Sequence, residues 1–303
     1  MNKRVWCVLM AGLWLTCPGR GRATEIVFET TSPYHHIQVV DRNRVRTLYF
    51  DKSTQSRMSL DDPQQGHFEY IEYFHMPWLW NDQIKTVLMI GLGGSSIQRA
   101  YQNYWSQVST ETVELDPKVI EVARDYFRFK ETDKMKVILG DGRMYLRRAQ
   151  RKYDVILLDA YTANRYGSYI PYSLATKEFF AIANEHLNDN GVLAYNVVGS
   201  LYGGRENVVS VIYKTLKTCF PQVYMFPAIG SMNVVLVATK SNELVTLSQL
   251  KRKVDELVES KRATFPNFKI RLKRFRFRPP ASVERSRILT DDFAPVDGLL
   301  RTE

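Results

Sequence analysis

The stretch from Thr86 to Asp116 constrains this chain more than any other. An apolar run, Thr86-Val-Leu-Met-Ile90, breaks into Gly91-Leu-Gly-Gly-Ser-Ser96, a helical segment follows, and a second β-rich run, Thr110-Glu-Thr-Val-Glu-Leu-Asp116, ends in acid. Strand, glycine turn, helix, strand and terminal acid in that order predict a nucleoside-binding βαβ unit. Glycines at 91, 93 and 94 let the backbone approach a ligand with no Cβ in the way, and the helix N-terminus beyond them offers free N–H groups. An acid about 20 positions on can accept from both ribose hydroxyls. Glu114 and Asp116 alternate with Val113 and Leu115 and so leave the strand on one side. Asp116 precedes Pro117, the place of a helix cap, which makes Glu114 the better ribose ligand.

The alternation continues downstream. Strands are expected at Lys136–Asp141, Tyr153–Asp159 and Gly191–Val197, with helices at Pro117–Phe127, Thr176–Leu187 and Asn207–Cys219. Such a series predicts a parallel sheet covered on both faces. The last two strands, Val223–Phe226 and Asn233–Ala238, are joined by a link too short for anything but an antiparallel pair. The expected fold is α/β: a Rossmann-like sheet of the S-adenosylmethionine-methyltransferase type with an antiparallel terminal hairpin. Short alternating runs between Glu25 and Asp51 predict a small β-meander before it, and Gln64 to Trp80 reads as a helix closed by Pro77. The expected division is a lobe with its linking helix over 24–80, the nucleoside-binding domain over 81–240, and a C-terminal helix, basic strand and tail over 241–303.

Residues 1–23 read differently. A basic start, Asn2-Lys3-Arg4, an apolar run from Val5 to Leu15 and the small-x-small sequence Gly21-Arg22-Ala23 predict a secretory signal peptide, and hence a periplasmic or secreted protein. The run is too short to remain as a transmembrane anchor. Cys7 and Cys17 lie inside residues 1–23, the segment to be removed, so Cys219 is left alone and no internal disulfide is expected. The chain carries a net charge of +10. Phe268-Lys-Ile-Arg-Leu-Lys-Arg-Phe-Arg-Phe-Arg278 alternates apolar and basic residues, which predicts an edge strand guarded by cations. No nucleic-acid motif accompanies it, so no specific nucleic-acid partner is expected.

In open α/β sheets ligands lie beyond the C-terminal strand ends. Those ends are Gly91 to Ser96, Glu114, Gly140-Asp141-Gly142 and Asp159, and three of the four deliver carboxylates. Asp141 between two glycines suits an acid that accepts from an adenine amino group, or a cap on the helix starting at Gly142.

With these ends in place the chain resembles the spermidine synthase family, the polyamine aminopropyltransferases, over about Ser32 to Ala238. The resemblance rests on Ser32-Pro-Tyr-His-His-Ile37 for the Y-Q-x-I strand, Asp51-Lys-Ser-Thr-Gln55 for the D-G-x-x-Q turn and Glu69-Tyr-Ile-Glu72 for the Y-x-E helix. Val113-Glu-Leu-Asp116, Gly140-Asp-Gly142 and Tyr153-Asp-Val-Ile-Leu-Leu-Asp159 complete it. A divergent branch of the family shares Asp159-Ala-Tyr161, Ile170-Pro-Tyr-Ser-Leu174 and Leu289-Thr-Asp-Asp-Phe-Ala-Pro-Val296.

The resemblance implies a transferase that takes S-adenosylmethionine or its decarboxylated form as co-substrate and joins an amine to the propyl group, and it implies a homodimer. It implies Gly91, Gly93, Gly94, Glu114, Asp141 and Gly142 at the nucleoside, Tyr34, Gln55, Tyr70 and Tyr161 at the substrate, and Asp159 as catalytic acid or base. Two positions depart from the family pattern. Gly94 stands where the G-G-G-D-G-G loop has its aspartate, and Thr162 stands for the second aspartate of D-S-x-D-P. Asp291 or Asp292 would supply the lost charge by folding back over the cleft. A methyltransferase needs the same nucleoside pocket with less carboxylate chemistry, and an exported, non-catalytic binding protein with a relict pocket is the remaining reading. No serine-nucleophile elbow, P-loop lysine or metal-ligand spacing is present, and the adjacent His35 and His36 would face opposite sides of a strand.

Overall fold

The computed structural model describes residues 24–64, 67–164, 167–201 and 207–296. The signal-peptide segment 1–23 lies outside them. No helix among the described residues is long and apolar enough to cross a membrane.

The N-terminal lobe is an antiparallel four-stranded meander: β1 (Glu25–Thr31), β2 (His36–Arg42), β3 (Val45–Phe50) and β4 (Ser53–Ser59), each paired with the next. Its last two turns are tight. Asn43 and Arg44 have φ of 51° and 63°, and Asp51 and Lys52 have 47° and 74°, the paired left-handed conformation of two-residue hairpins. Asp51 to Gln55 is therefore both the expected turn and the start of a strand that the alternation did not reveal.

The expected helix over 64–80 is instead two short pieces, α1 (Tyr70–Tyr73) and a 3-10 turn (Met76–Leu79). Pro77 lies at the opening of that turn and lacks the N–H that would have continued α1.

The main sheet follows. Its elements in chain order are β5 (Thr86–Ile90), α2 (Ser96–Tyr104), β6 (Ser109–Glu114), α3 (Pro117–Tyr126), β7 (Met135–Leu139), α4 (Gly142–Arg148) and β8 (Tyr153–Leu158). A small hairpin of β9 (Thr162–Asn164) and β10 (Gly167–Tyr169) precedes α5 (Lys177–Glu185), β11 (Leu187–Val198), α6 (Val208–Lys217), β12 (Gln222–Pro227) and β13 (Asn233–Thr239). Among the described residues the sheet has seven strands in the order β12-β13-β11-β8-β5-β6-β7. The pairs from β11 to β7 are parallel, whereas β13 runs antiparallel to both β11 and β12. This is the Rossmann-like sheet with a terminal hairpin that the sequence predicts.

Both faces are covered, and the alternation of side chains divides them. Val87, Met89, Val155 and Leu157 pack into one core, while Leu88, Ile90, Ile156 and Leu158 pack into the other. Strand order reverses between β5 and β8, since the chain moves outward through β6 and β7 before returning to β8 on the opposite side. The crevice beyond the strand ends at that reversal is where a ligand fits.

The C-terminal segment holds α7 (Leu247–Glu259) and α8 (Phe268–Arg271). The expected basic strand over 268–278 is not one. Phe268, Leu272 and Phe275 are buried, at the i, i+4, i+7 spacing of a helix, whereas Ile270 and Phe277 are about half exposed. Helical burial overrides the two-residue alternation, and only Arg276 pairs as a bridge, to Met225 on the edge strand β12. The segment thus covers a sheet edge with a single bridge.

Candidate functional site

Beyond the strand ends lies a cavity of about 440 Å³, bounded by the N-terminal sheet on one side and by residues 160–162 and 171–174 on the other. Gly91, Gly93, Glu114, Asp141, Gly142, Asp159, Tyr34, Gln55, Tyr70 and Tyr161 all line it.

Close packing explains the glycine turn. Gly91 has φ of 99°, and a Cβ there would meet the Asp159 carbonyl oxygen at 2.3 Å. Glycine therefore lets β5 end directly against the residue that carries the candidate catalytic carboxyl. Gly142 serves a related purpose, because its Cβ would meet Ile90 at 2.4 Å. It brings α4 onto the sheet rather than clearing space for a ligand.

Gly94 is not an open place waiting for an aspartate. A Cβ at this position would lie 2.6 Å from the Ser56 Cβ, and the Gly94 N–H donates to Ser56 Oγ at 2.9 Å. The β4 serine has packed into the glycine loop. Behind the loop, buried Arg99 donates from Nη1 to the carbonyls of Gly94 (2.5 Å) and Phe127 (2.9 Å) and to Ser95 Oγ (2.8 Å). Burial and nearby Arg128 lower its pKa to about 10. These bonds hold Ser95 at a φ of 57° just before α2.

Glu114 ends β6 with its carboxylate turned toward the turn. Oε2 accepts from the Leu92 N–H and Oε1 from the Asp116 N–H, each at 2.9 Å. Burial raises its pKa, and these backbone donors oppose the shift. Each oxygen keeps a lone pair for a ligand hydroxyl. Asp116 caps α3 through the Lys118 N–H at 2.9 Å and accepts from Ser32 Oγ at 2.5 Å. Asp141 caps α4 through the Met144 N–H at 2.8 Å while still facing the cavity.

At the other end, Asp159 is held from both sides. Asn196 Nδ2 donates to Oδ1 at 2.8 Å and the Tyr70 hydroxyl to Oδ2 at 3.2 Å. Asn233 Nδ2 in turn donates to Asn196 Oδ1 at 3.0 Å. Withdrawal from water raises the Asp159 pKa to about 6, even though both hydrogen bonds favour the ionised form. Tyr161 lines the cavity, but its hydroxyl is engaged with β11, donating to the Asn196 carbonyl and accepting from the Val198 N–H, both at 2.8 Å.

The C-terminal aspartates do not meet this group. Asp291 is bound by Arg143 Nη1 at 2.7 Å and by the Thr176 hydroxyl at 2.7 Å, and neither Asp291 nor Asp292 lines the cavity. The tail anchors α4 to α5 there. Arg143 and Thr176 hold the Asp291 charge away from the cleft, and Asp292 is exposed.

His35, Asn196 and Asn233 also line the cavity and were not among the residues expected there. His35 is nine-tenths buried and stacked on Phe50 at 4.3 Å, with its pKa lowered by burial. His36 on the opposite face binds Glu29. The two asparagines converge only through the β11–β13 pairing.

Comparison with known proteins agrees with this fold. The spermine/spermidine synthase domain family matches residues 67–249. A polyamine aminopropyltransferase of Vibrio vulnificus is 29% identical over 91% of this chain and 92% of its own length. One from Chromobacterium violaceum is 30% identical over 78% and 89%. Among solved structures, the spermidine synthase of Thermotoga maritima superposes with a TM-score of 0.66 at 20% identity, covering 86% of each chain, which reports on fold alone. With a family match that spans more than half of its length, a relative at 30% identity and the expected sheet and cleft, this chain belongs to the spermine/spermidine synthase family of transferases.

Proposed function

We propose that the protein transfers a propylamine group from decarboxylated S-adenosylmethionine to an amine, with Asp159 as proton acceptor. The observation that carries this reading is the charge of the cavity. Among the described lining residues there are four carboxylates, Glu114, Asp116, Asp141 and Asp159, and no lysine or arginine. Decarboxylated S-adenosylmethionine brings a sulfonium and an ammonium with no opposing charge. The intact cofactor would bring its carboxylate into the same cavity without a cation to meet it, at the cost of an unpaired buried charge. That cost weighs against methyl transfer.

The adenosine end is assigned to Glu114 and Asp141, with the glycine turn against the ribose. Tyr34 and Gln55 line the same cavity from the N-terminal sheet and are assigned to substrate. At the Asp159 end an alkyl ammonium must first lose a proton, since the protonated form has no lone pair. The ionised carboxylate accepts that proton. The neutral nitrogen then attacks the propyl carbon bonded to sulfur: the C–N bond forms, the C–S bond breaks, and its electron pair returns to sulfur to give methylthioadenosine. Asn196 and Tyr70 fix the carboxylate during the transfer, and Asn233 fixes Asn196.

The reading is tested by incubating purified protein with decarboxylated S-adenosylmethionine and an amine. Formation of methylthioadenosine together with an amine heavier by one propylamine group is expected. A methylated amine formed from S-adenosylmethionine would replace this reading with methyl transfer.

A further inference from the structure

The carboxylates of the cavity are unevenly distributed, and their distribution bears on the acceptor. Resting on the transfer reading above, we propose that the acceptor is a primary amine with one positive charge, whose far end is neutral, rather than a diamine. Asp159 follows β8, Glu114 ends β6 and Asp141 lies just past β7. In the strand order β8-β5-β6-β7, Glu114 is two strands away and Asp141 three, or roughly 10 Å and 14 Å at ordinary strand spacing. Asp116 is tied to Ser32 and the α3 N-terminus on the Glu114 side. Three of the four charges thus belong to the nucleoside end.

What surrounds Asp159 is neutral. Asn196 and Asn233 lie on the β11–β13 side, Tyr70 and Ile71 come from α1, and Thr162 opens β9. Two further carboxylates stand close in sequence, Glu69 and Glu72, but they are already matched. Arg271 pairs with Glu69 at 2.6 Å and with Glu72, and Asn267 also donates to Glu72. The basic segment that covers the sheet edge therefore also neutralises the acids flanking Tyr70. Among the described lining residues Asp159 is the one carboxylate at this end, and it meets both the donor's ammonium and the acceptor's. A second ammonium on the same molecule finds none among the described lining residues at this end, and its desolvation is uncompensated. A hydroxyl or alkyl end meets amide, hydroxyl and apolar groups without that cost.

The test compares putrescine with 4-aminobutan-1-ol and n-pentylamine, at saturating decarboxylated S-adenosylmethionine, by kcat/KM from methylthioadenosine release. The expected result is a value at least fivefold higher for one of the monoamines than for putrescine. Thr162→Asp should shift the ratio toward putrescine at least tenfold. A wild-type preference for putrescine would overturn the acceptor assignment while leaving the transfer reading intact. Release with none of the amines would overturn the transfer reading, and the acceptor assignment with it.

Discussion

Asn196 Nδ2 donates to Asp159 Oδ1 at 2.8 Å, so the one carboxyl among the described lining residues at this end of the cleft is oriented by an amide from the neighbouring strand. Positioned proton acceptors contribute about 10²–10⁴-fold to rate. Asp159→Asn is expected to lower kcat by at least 10²-fold while the affinity for methylthioadenosine changes less than threefold. Asn196→Ala should lower kcat less, about tenfold, because Tyr70 still holds Oδ2. Steady-state kinetics and calorimetry on the two variants check this, and unchanged turnover in Asp159→Asn would remove the carboxyl from the mechanism.

The pH dependence follows from the same group. Asp159 rises from 3.8 to about 6 through burial. A carboxyl with a raised folded-state pKa keeps its proton longer in the folded protein, so its contribution to stability is complete below pH 4 and is lost as pH rises through 6. Activity runs the other way, because only the ionised form accepts a proton. We expect kcat to climb through pH 6 and level off above it, with no such inflection in any residual activity of Asp159→Asn. Chemical denaturation of the wild type and this variant across pH 4 to 7 should show the stability difference shifting in favour of the variant as pH rises.

Glu114 binds two backbone N–H groups, at Leu92 and Asp116. Its truncation leaves both donors without their partner, at about 1–3 kcal/mol each. Glu114→Ala should lower the thermal midpoint and weaken methylthioadenosine binding at least tenfold. Glu114→Gln, which keeps one acceptor, should lose less stability and still bind more weakly. Wild-type affinity in Glu114→Gln would show that the carboxylate serves the turn alone.

Restoring the family aspartate should not restore the family site. Because a side chain at 94 collides with Ser56, Gly94→Asp is expected to cost about 1–3 kcal/mol of stability. Ser56→Gly in the same molecule should recover part of it, and a double-mutant cycle measures the coupling. Additivity of the two substitutions would argue that the loop yields elsewhere.

How much could be read beforehand depended on whether a signal was local. The run from Thr86 to Asp116 specifies its own strand, turn and acid, and the antiparallel ending followed from the short link between residues 226 and 233. Asp159 was legible because it ends a strand. Asn196 and Asn233 were not, since an asparagine inside an apolar strand has no periodic meaning until pairing of β11 with β13 brings the two together. The segment 268–278 satisfied two periodicities at once. Phe268, Leu272 and Phe275 fit a helix while every second residue fits a strand, and packing of the segment against α7 and β12 decides between them. Position 94 showed a missing aspartate, but not that Ser56 from another lobe fills the space.

The central claim, that this cleft selects an adenosyl sulfonium without a carboxylate, is tested most directly by calorimetry. Titrations of the protein with decarboxylated S-adenosylmethionine and with S-adenosylmethionine should give a dissociation constant at least tenfold lower for the decarboxylated form. Equal or tighter binding of S-adenosylmethionine, or no heat from either in a folded sample, would contradict it.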